Sequence, residues 1–120
     1  MGKISSPDNN WAIDGTVLQV RRFLFPACVS THADRLPQYQ NGQLYFIWSG
    51  WSDASHTNTQ NLYIAHMSSP TTIDSNRVLL HEPKPSWQQS KLGSNRMGVN
   101  EGPAIFVNAG RTFLIYCASP

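Results

Sequence analysis

The stretch Asn41-Gly42-Gln43-Leu44-Tyr45-Phe46-Ile47-Trp48-Ser49 reads as a turn feeding a β-strand. Asn-Gly is favoured at the centre of tight hairpins because both central residues there need a positive φ. The run behind it is aromatic and β-branched, and such side chains pack well on a pleated surface. Working outward, residues 61–67 (NLYIAHM) alternate apolar and mixed positions and are closed by Ser68-Ser69-Pro70. Arg77-Val78-Leu79-Leu80 is a third short run, ended by Pro83 and Pro85. Residues 103–107 and 112–117 are two more, joined through Asn108-Ala109-Gly110. Nowhere do apolar residues recur at the i, i+3, i+4, i+7 spacing of an amphipathic helix. The pattern predicts an all-β chain of short antiparallel strands.

Composition supports this and excludes several functions. Of the 120 residues only 13% are charged while 11% are aromatic, the reverse of the balance that keeps chains disordered. The length suits one small domain. A net charge of +2, with no cluster beyond Arg21-Arg22, lacks the basic footprint of a nucleic-acid binder and gives no reason to expect a membrane partner. Cys28 and Cys117 do not make a disulfide framework, and His32, His56, His66 and His81 lack metal-ligand spacing. No apolar run approaches the roughly 20 residues needed to span a bilayer. The polar start, MGKISSPDNN, does not read as a secretory signal peptide, and localisation stays unassigned.

A weak internal repeat organises the chain. Asp14-Gly15 opens an apolar segment that leads to Asn41-Gly42 and the aromatic run 44–48; Glu101-Gly102 opens one that leads to Ala109-Gly110 and the run 113–116. Units of about four strands are the mark of propeller blades, and the chain holds about one and a half. The acid is expected at the start of each blade's first strand. The units differ in length. Asp14 and Asn41 are 27 positions apart, Glu101 and Ala109 only 8. The excess, residues 20–39 (VRRFLFPACVSTHADRLPQY), reads as an insertion between two strands, either a retained intron or a natural loop. Loop length alone costs only about 0.6 kcal/mol per doubling.

First strands of blades line a propeller's channel, so Asp14 and Glu101 are expected to converge on one cavity. Hydrolysis of a glycosidic bond needs such a set. One carboxylic acid protonates the leaving oxygen, a second carboxylate acts as base or nucleophile, and a further anion can hold the acid protonated. The only other glutamate, Glu82, precedes Pro83 and reads as a surface residue. Sugars stack on indole faces. Trp51, at a strand end after Ser49-Gly50, and Trp11, three residues before Asp14, are candidates for the channel rim. Trp48 continues a core strand, and Trp87 is expected to pack in a loop. Cys117 reads as a small buried apolar residue.

The motifs Trp11-Ala12-Ile13-Asp14-Gly15-Thr16-Val17, Leu44-Tyr45-Phe46-Ile47-Trp48-Ser49-Gly50-Trp51, Asn61-Leu62-Tyr63-Ile64-Ala65 and Val99-Asn100-Glu101-Gly102-Pro103 together resemble glycoside hydrolase family 43. The closest resemblance is to its fungal and bacterial α-L-arabinofuranosidases. It covers the chain apart from the insertion. It implies a five-bladed β-propeller and an inverting mechanism served by an Asp base, an Asp that tunes the acid, and a Glu acid. By resemblance Asp14 is the tuner and Glu101 the general acid, with Asn100 beside it shaping the wall of the substrate pocket that Trp11 and Trp51 are expected to rim. It implies an arabinose-containing oligo- or polysaccharide as partner, and no cofactor or metal.

The family pattern also sets an expectation about what is missing. The base belongs to a blade before Asp14, and Asp8, Asp34, Asp53 and Asp74 do not replace it. Little activity is expected of this chain alone. The other readings are a non-catalytic carbohydrate-binding fragment and a non-functional gene-model product. Open sheet edges predict self-association.

Overall fold

The computed structural model describes residues 10–20, 42–55, 59–92 and 95–119, together with Ile4. Among the described residues eight strands run in chain order: β1 (Ala12–Gln19), β2 (Leu44–Gly50), β3 (Thr59–Ser69), β4 (Thr72–Ile73), β5 (Val78–His81), β6 (Gln89–Leu92), β7 (Asn95–Asn108) and β8 (Arg111–Ser119). Among the described residues the helical content is one 3-10 turn at Ser86–Gln88, as the missing helical periodicity requires.

The strands form a partial β-propeller. β1, β2, β3 and β5 pair antiparallel in that order as one four-stranded blade, with β4 closing on the far end of β3. The next blade is represented by the β7–β8 hairpin, with β6 paired to the first residues of β7. The two are joined by a short parallel contact, Thr59 with Gly98 and Gln60 with Val99. β2 lies between two strands and buries Ile47, Trp48, Ser49 and Gly50 in succession. Trp48, Tyr63 and Ala65 form the core cluster, with Phe46 and Ile73 packed against it. The rings run as a ladder, Phe46 to Trp48 at 5.6 Å and Trp48 to Tyr63 at 5.9 Å.

The internal repeat becomes concrete in two matching bulges. On β1, Asp14 and Gly15 lie opposite the single residue Trp48, between the pairs Ile13–Ser49 and Thr16–Ile47. On β7, Gly102 and Pro103 lie opposite Tyr116, between Glu101–Cys117 and Ala104–Ile115. The first bulge residue has a positive φ in each, 53° at Asp14 and 60° at Gly102. This left-handed conformation suits Gly, and Asp tolerates it better than most residues. Five rungs separate each bulge from its turn. β7 and β8 meet at Ala109 and Gly110, with φ of 48° and 74°, the two positive values of a type I′ turn. In the first blade the fifth rung is Val20, whose N–H donates to the Gln43 carbonyl at 2.9 Å. Gly42, at φ 85°, stands where Gly110 stands.

Several expectations change. Glu101 does not open a strand: β7 begins at Asn95, because the polar segment 95–98 finds a partner in β6, which its composition did not announce. The two acids are not strictly equivalent. In bulge register Asp14 matches Gly102, and Glu101 matches Ile13, one residue earlier. Cys117 is exposed rather than buried, because no strand flanks the outer side of β8 among the described residues. Trp87 is 65% exposed rather than packed; in the one-turn helix Gln88 is the residue that faces inward. Of the segment 20–39, Val20 is a rung of the hairpin and the rest lies outside the described residues.

Candidate active site

The site is built at the end of the β1–β2 pair where β7 crosses. Asp14 is exposed and held by its bulge. The glycine after it is required by packing. A Cβ on Gly15 would lie 2.0 Å from Cζ of Phe46, so the ring of the aromatic ladder sits directly against the backbone there. Ladder and bulge therefore fix each other.

Two residues before the acid, Ala12 pairs with Gly50. A Cβ on Gly50 would lie 2.7 Å from the Trp11 carbonyl oxygen, so glycine admits the start of β1. The Trp51 N–H donates to that same carbonyl at 3.3 Å. The Trp11 and Trp51 rings stack at 4.5 Å with a 19° interplanar angle. Arg77 holds the turn beyond: its guanidinium donates to the carbonyls of Trp51, at 2.8 Å, and Ser52. The same group lies 4.1 Å over the Tyr63 ring, a cation–π contact that ends the ladder. Trp11, Trp51 and Asp14 are thereby set at one end of the blade.

Glu101, half-buried, comes to this end on β7. What ties it in is Ser49. Ser49 pairs with Ile13, the residue before Asp14. Its buried hydroxyl donates to the carbonyl of Asn100, the residue before Glu101, at 2.6 Å, and lies 3.3 Å from Gln60 Oε1. One hydroxyl thus links the two acid-bearing strands. Asn100 itself is 0% exposed, and its side-chain amide has no partner among the described residues. Its visible contribution is the main-chain carbonyl.

The remaining described carboxylates are engaged elsewhere. Asp53 accepts from the Ser55 N–H at 2.8 Å, Asp74 lies 2.6 Å from His66 Nδ1, and Glu82 pairs with Lys84 at 2.9 Å. Among the described residues no group of three or more His, Cys, Asp or Glu could hold a metal ion, and no helix is long and apolar enough to cross a membrane. Sequence reading named Asp14, Glu101, Asn100, Trp11 and Trp51; it did not single out Ser49, Gly15, Gly50 or Arg77, which hold the backbone around them. Ser49 and Gly50 stand inside the quoted strand motif, yet nothing in a linear motif says which strand a hydroxyl will face.

Asp14 and the stacked Trp11–Trp51 pair thus share one end of the first blade, and the Ser49 hydroxyl ties the strand of Glu101 to it. No family model matches. Over 79 residues, 66% of this chain and 15% of the relative, the sequence is 35% identical to alpha-L-arabinofuranosidase 43 of Humicola insolens. Over 118 residues, 98% of this chain and 19% of the relative, it is 30% identical to an extracellular exo-alpha-(1->5)-L-arabinofuranosidase of Streptomyces avermitilis. The solved alpha-L-arabinofuranosidase from Lactobacillus brevis superposes with a TM-score of 0.66 at 29% identity, covering 98% of this chain and 28% of that one. The chain is a partial five-bladed propeller of the α-L-arabinofuranosidase-like, glycoside hydrolase family 43 type, and it spans under a fifth of the length of these curated relatives.

Proposed function

We propose that this chain supplies part of the catalytic centre of an inverting glycoside hydrolase acting on arabinose-containing plant polysaccharides. Glu101 is the general acid and gives its proton to the leaving glycosidic oxygen. Asp14 is the modulating and positioning carboxylate beside it. Trp11 and Trp51 stack on the sugar, and buried Asn100 backs the pocket behind Glu101. The observation that carries the reading is the Ser49 hydroxyl, which joins the strand of Asp14 to that of Glu101 through the Asn100 carbonyl.

Inversion also needs a base that activates water on the opposite face of the sugar, about 6.5–9.5 Å from the acid. Asp53, Asp74 and Glu82 have their own partners, while Asp8 and Asp34 lie outside the described residues. General acid–base assistance is worth about 10²–10⁴ in rate. We therefore expect the isolated chain to turn over arabinosides very slowly or not at all. The part of the segment 20–39 beyond the Val20 rung we take as an insertion in the turn of an otherwise ordinary blade hairpin.

The test is twofold: titration of an arabino-oligosaccharide into the purified chain, followed by tryptophan fluorescence, and a hydrolysis assay on the same material. Binding that is lost in Trp11→Ala, with residual turnover lost in Glu101→Gln, supports the assignment. Turnover unaffected by Glu101→Gln sinks it. The stacked Trp11–Trp51 pair favours one other reading, a non-catalytic carbohydrate-binding unit. Sugar affinity that survives Glu101→Gln with no hydrolysis in either form selects that one.

A further inference from the structure

Ile13, Ser49, Leu62 and His81 are successive Cα partners across β1, β2, β3 and β5. The row runs from the residue before Asp14 to the last strand of the first blade. Directly opposed residues share a sheet face, and this face meets the second blade. Leu62, in the row, is 0% exposed. The polar side chains on either side of it both reach the β7–β8 hairpin. On the inner side Ser49 donates to the Asn100 carbonyl. On the outer side the His81 ring lies 5.5 Å from the Tyr116 ring of β8. Gln88 joins these two. Its Oε1 lies 3.0 Å from His81 Nε2, and its Nε2 donates to the Tyr116 hydroxyl at 3.2 Å.

Gln88 is 1% exposed, and both ends of its amide are used, as a buried amide requires. The backbone around it is clamped. Its N–H donates to the Pro85 carbonyl at 2.9 Å, and Gln89 Nε2 donates to the Pro83 carbonyl at 2.6 Å. The next residue starts β6, which pairs Gln89 with Gly98 of β7. A Cβ on Gly98 would lie 2.7 Å from the Pro83 ring, so glycine lets this linker lie against β7. Tyr116 stands opposite the Gly102-Pro103 bulge, where Trp48 stands opposite Asp14-Gly15. Tyrosine brings to that position a hydroxyl that Trp48 does not have.

We propose that Gln88 and Tyr116 are positioning residues for Glu101, forming the outer of two tethers that fix its hairpin against the blade of Asp14. The inference rests on the reading of Glu101 as the general acid. The Ser49 tether holds one point and leaves the hairpin free to swing about it. A second tether on the other side of Leu62 removes that freedom. Glu101 then keeps a fixed place relative to Asp14, and in such a centre a misplacement of about 1 Å can cost about 10²-fold in rate. His81, Gln88 and Tyr116 all meet between the two blades, so the tether does not depend on what lies along the outer side of β8.

Spin labels read the separation of the two acid-bearing hairpins by double electron–electron resonance. One goes on Cys117, exposed on β8 opposite Glu101, and one on Val17→Cys, exposed on β1, in a Cys28→Ser background. The full chain should give one narrow distance. Gln88→Leu should replace it with a broad distribution. Tyr116→Phe, which keeps the ring and removes only the hydroxyl, should do the same and decides the matter if Gln88→Leu fails to fold. Gln88→Glu, whose carboxylate accepts from both neighbours, should restore the narrow distance. A broad distribution in the wild type, a narrow one in Tyr116→Phe, or equal breadth in Gln88→Leu and Gln88→Glu overturns the proposal. Turnover unaffected by Glu101→Gln overturns the acid assignment and the positioning role with it, and the label distances tell that failure from a failure of the tether.

Discussion

Replacing Ser49 with alanine isolates the contact on which the site depends. The exchange removes one oxygen, so the packing around β2 barely changes and the cavity term is small. What is lost is the 2.6 Å bond to the Asn100 carbonyl and the weaker 3.3 Å contact with Gln60. The first lies where water does not reach, since Ser49 and Asn100 are fully buried; the second is partly buried. An intramolecular hydrogen bond is worth about 1 kcal/mol net, but leaving a buried acceptor stranded raises the cost to about 1–3 kcal/mol. At about 4 °C per kcal/mol for a domain of this size, the midpoint should fall by about 4–12 °C. The assay is thermal and urea unfolding at fixed protein concentration, because association would shift both. Ser52→Ala, at an exposed position, serves as the control and should stay within about 0.5 kcal/mol. The reading further expects faster hydrogen exchange at the Glu101 amide than at residues of β3. A loss for Ser49→Ala no larger than for Ser52→Ala would show that the hydroxyl does not hold β7 against β2, and the link between the two acids would fall with it.

Other perturbations test the surrounding frame. Gly15→Ala places a methyl 2.0 Å from the Phe46 ring and should destabilise by about 1–3 kcal/mol; in unfolding experiments a Phe46→Leu partner should recover part of that loss. Arg77→Met keeps the stem but removes two carbonyl contacts and the cation over Tyr63, with an expected cost of about 2–3 kcal/mol. That variant should also make Trp51 easier to quench by iodide. Gly110→Ala sits at φ 74° with open space around its Cβ position, so only backbone strain should register, about 1 kcal/mol by urea titration.

The sequence alone determined the strand character and the outline of the blades. Aromatic and β-branched runs bounded by Asn-Gly, Ala-Gly and proline leave few alternatives to short antiparallel strands, and the repeated acid-glycine step falls at the bulge of each hairpin's first strand. Trp11 and Trp51 were each legible as candidates for the rim, but their stacking comes from the register that sets Ala12 opposite Gly50. The polar segment 95–98 was not legible as strand, because its pairing is decided by β6 rather than by its own composition. Exposure was likewise invisible. Ile47 and Ile115 occupy matching rungs of like sequence, yet one is buried and the other open because, among the described residues, β2 has a neighbour on its outer side and β8 has none. The tertiary structure alone decided that the acids are offset by one residue in the bulge register, and that a serine on β2 joins their strands. A side-chain pattern records which face of a strand is apolar; it does not record which other strand a buried hydroxyl will meet, and that meeting is what assembles this site.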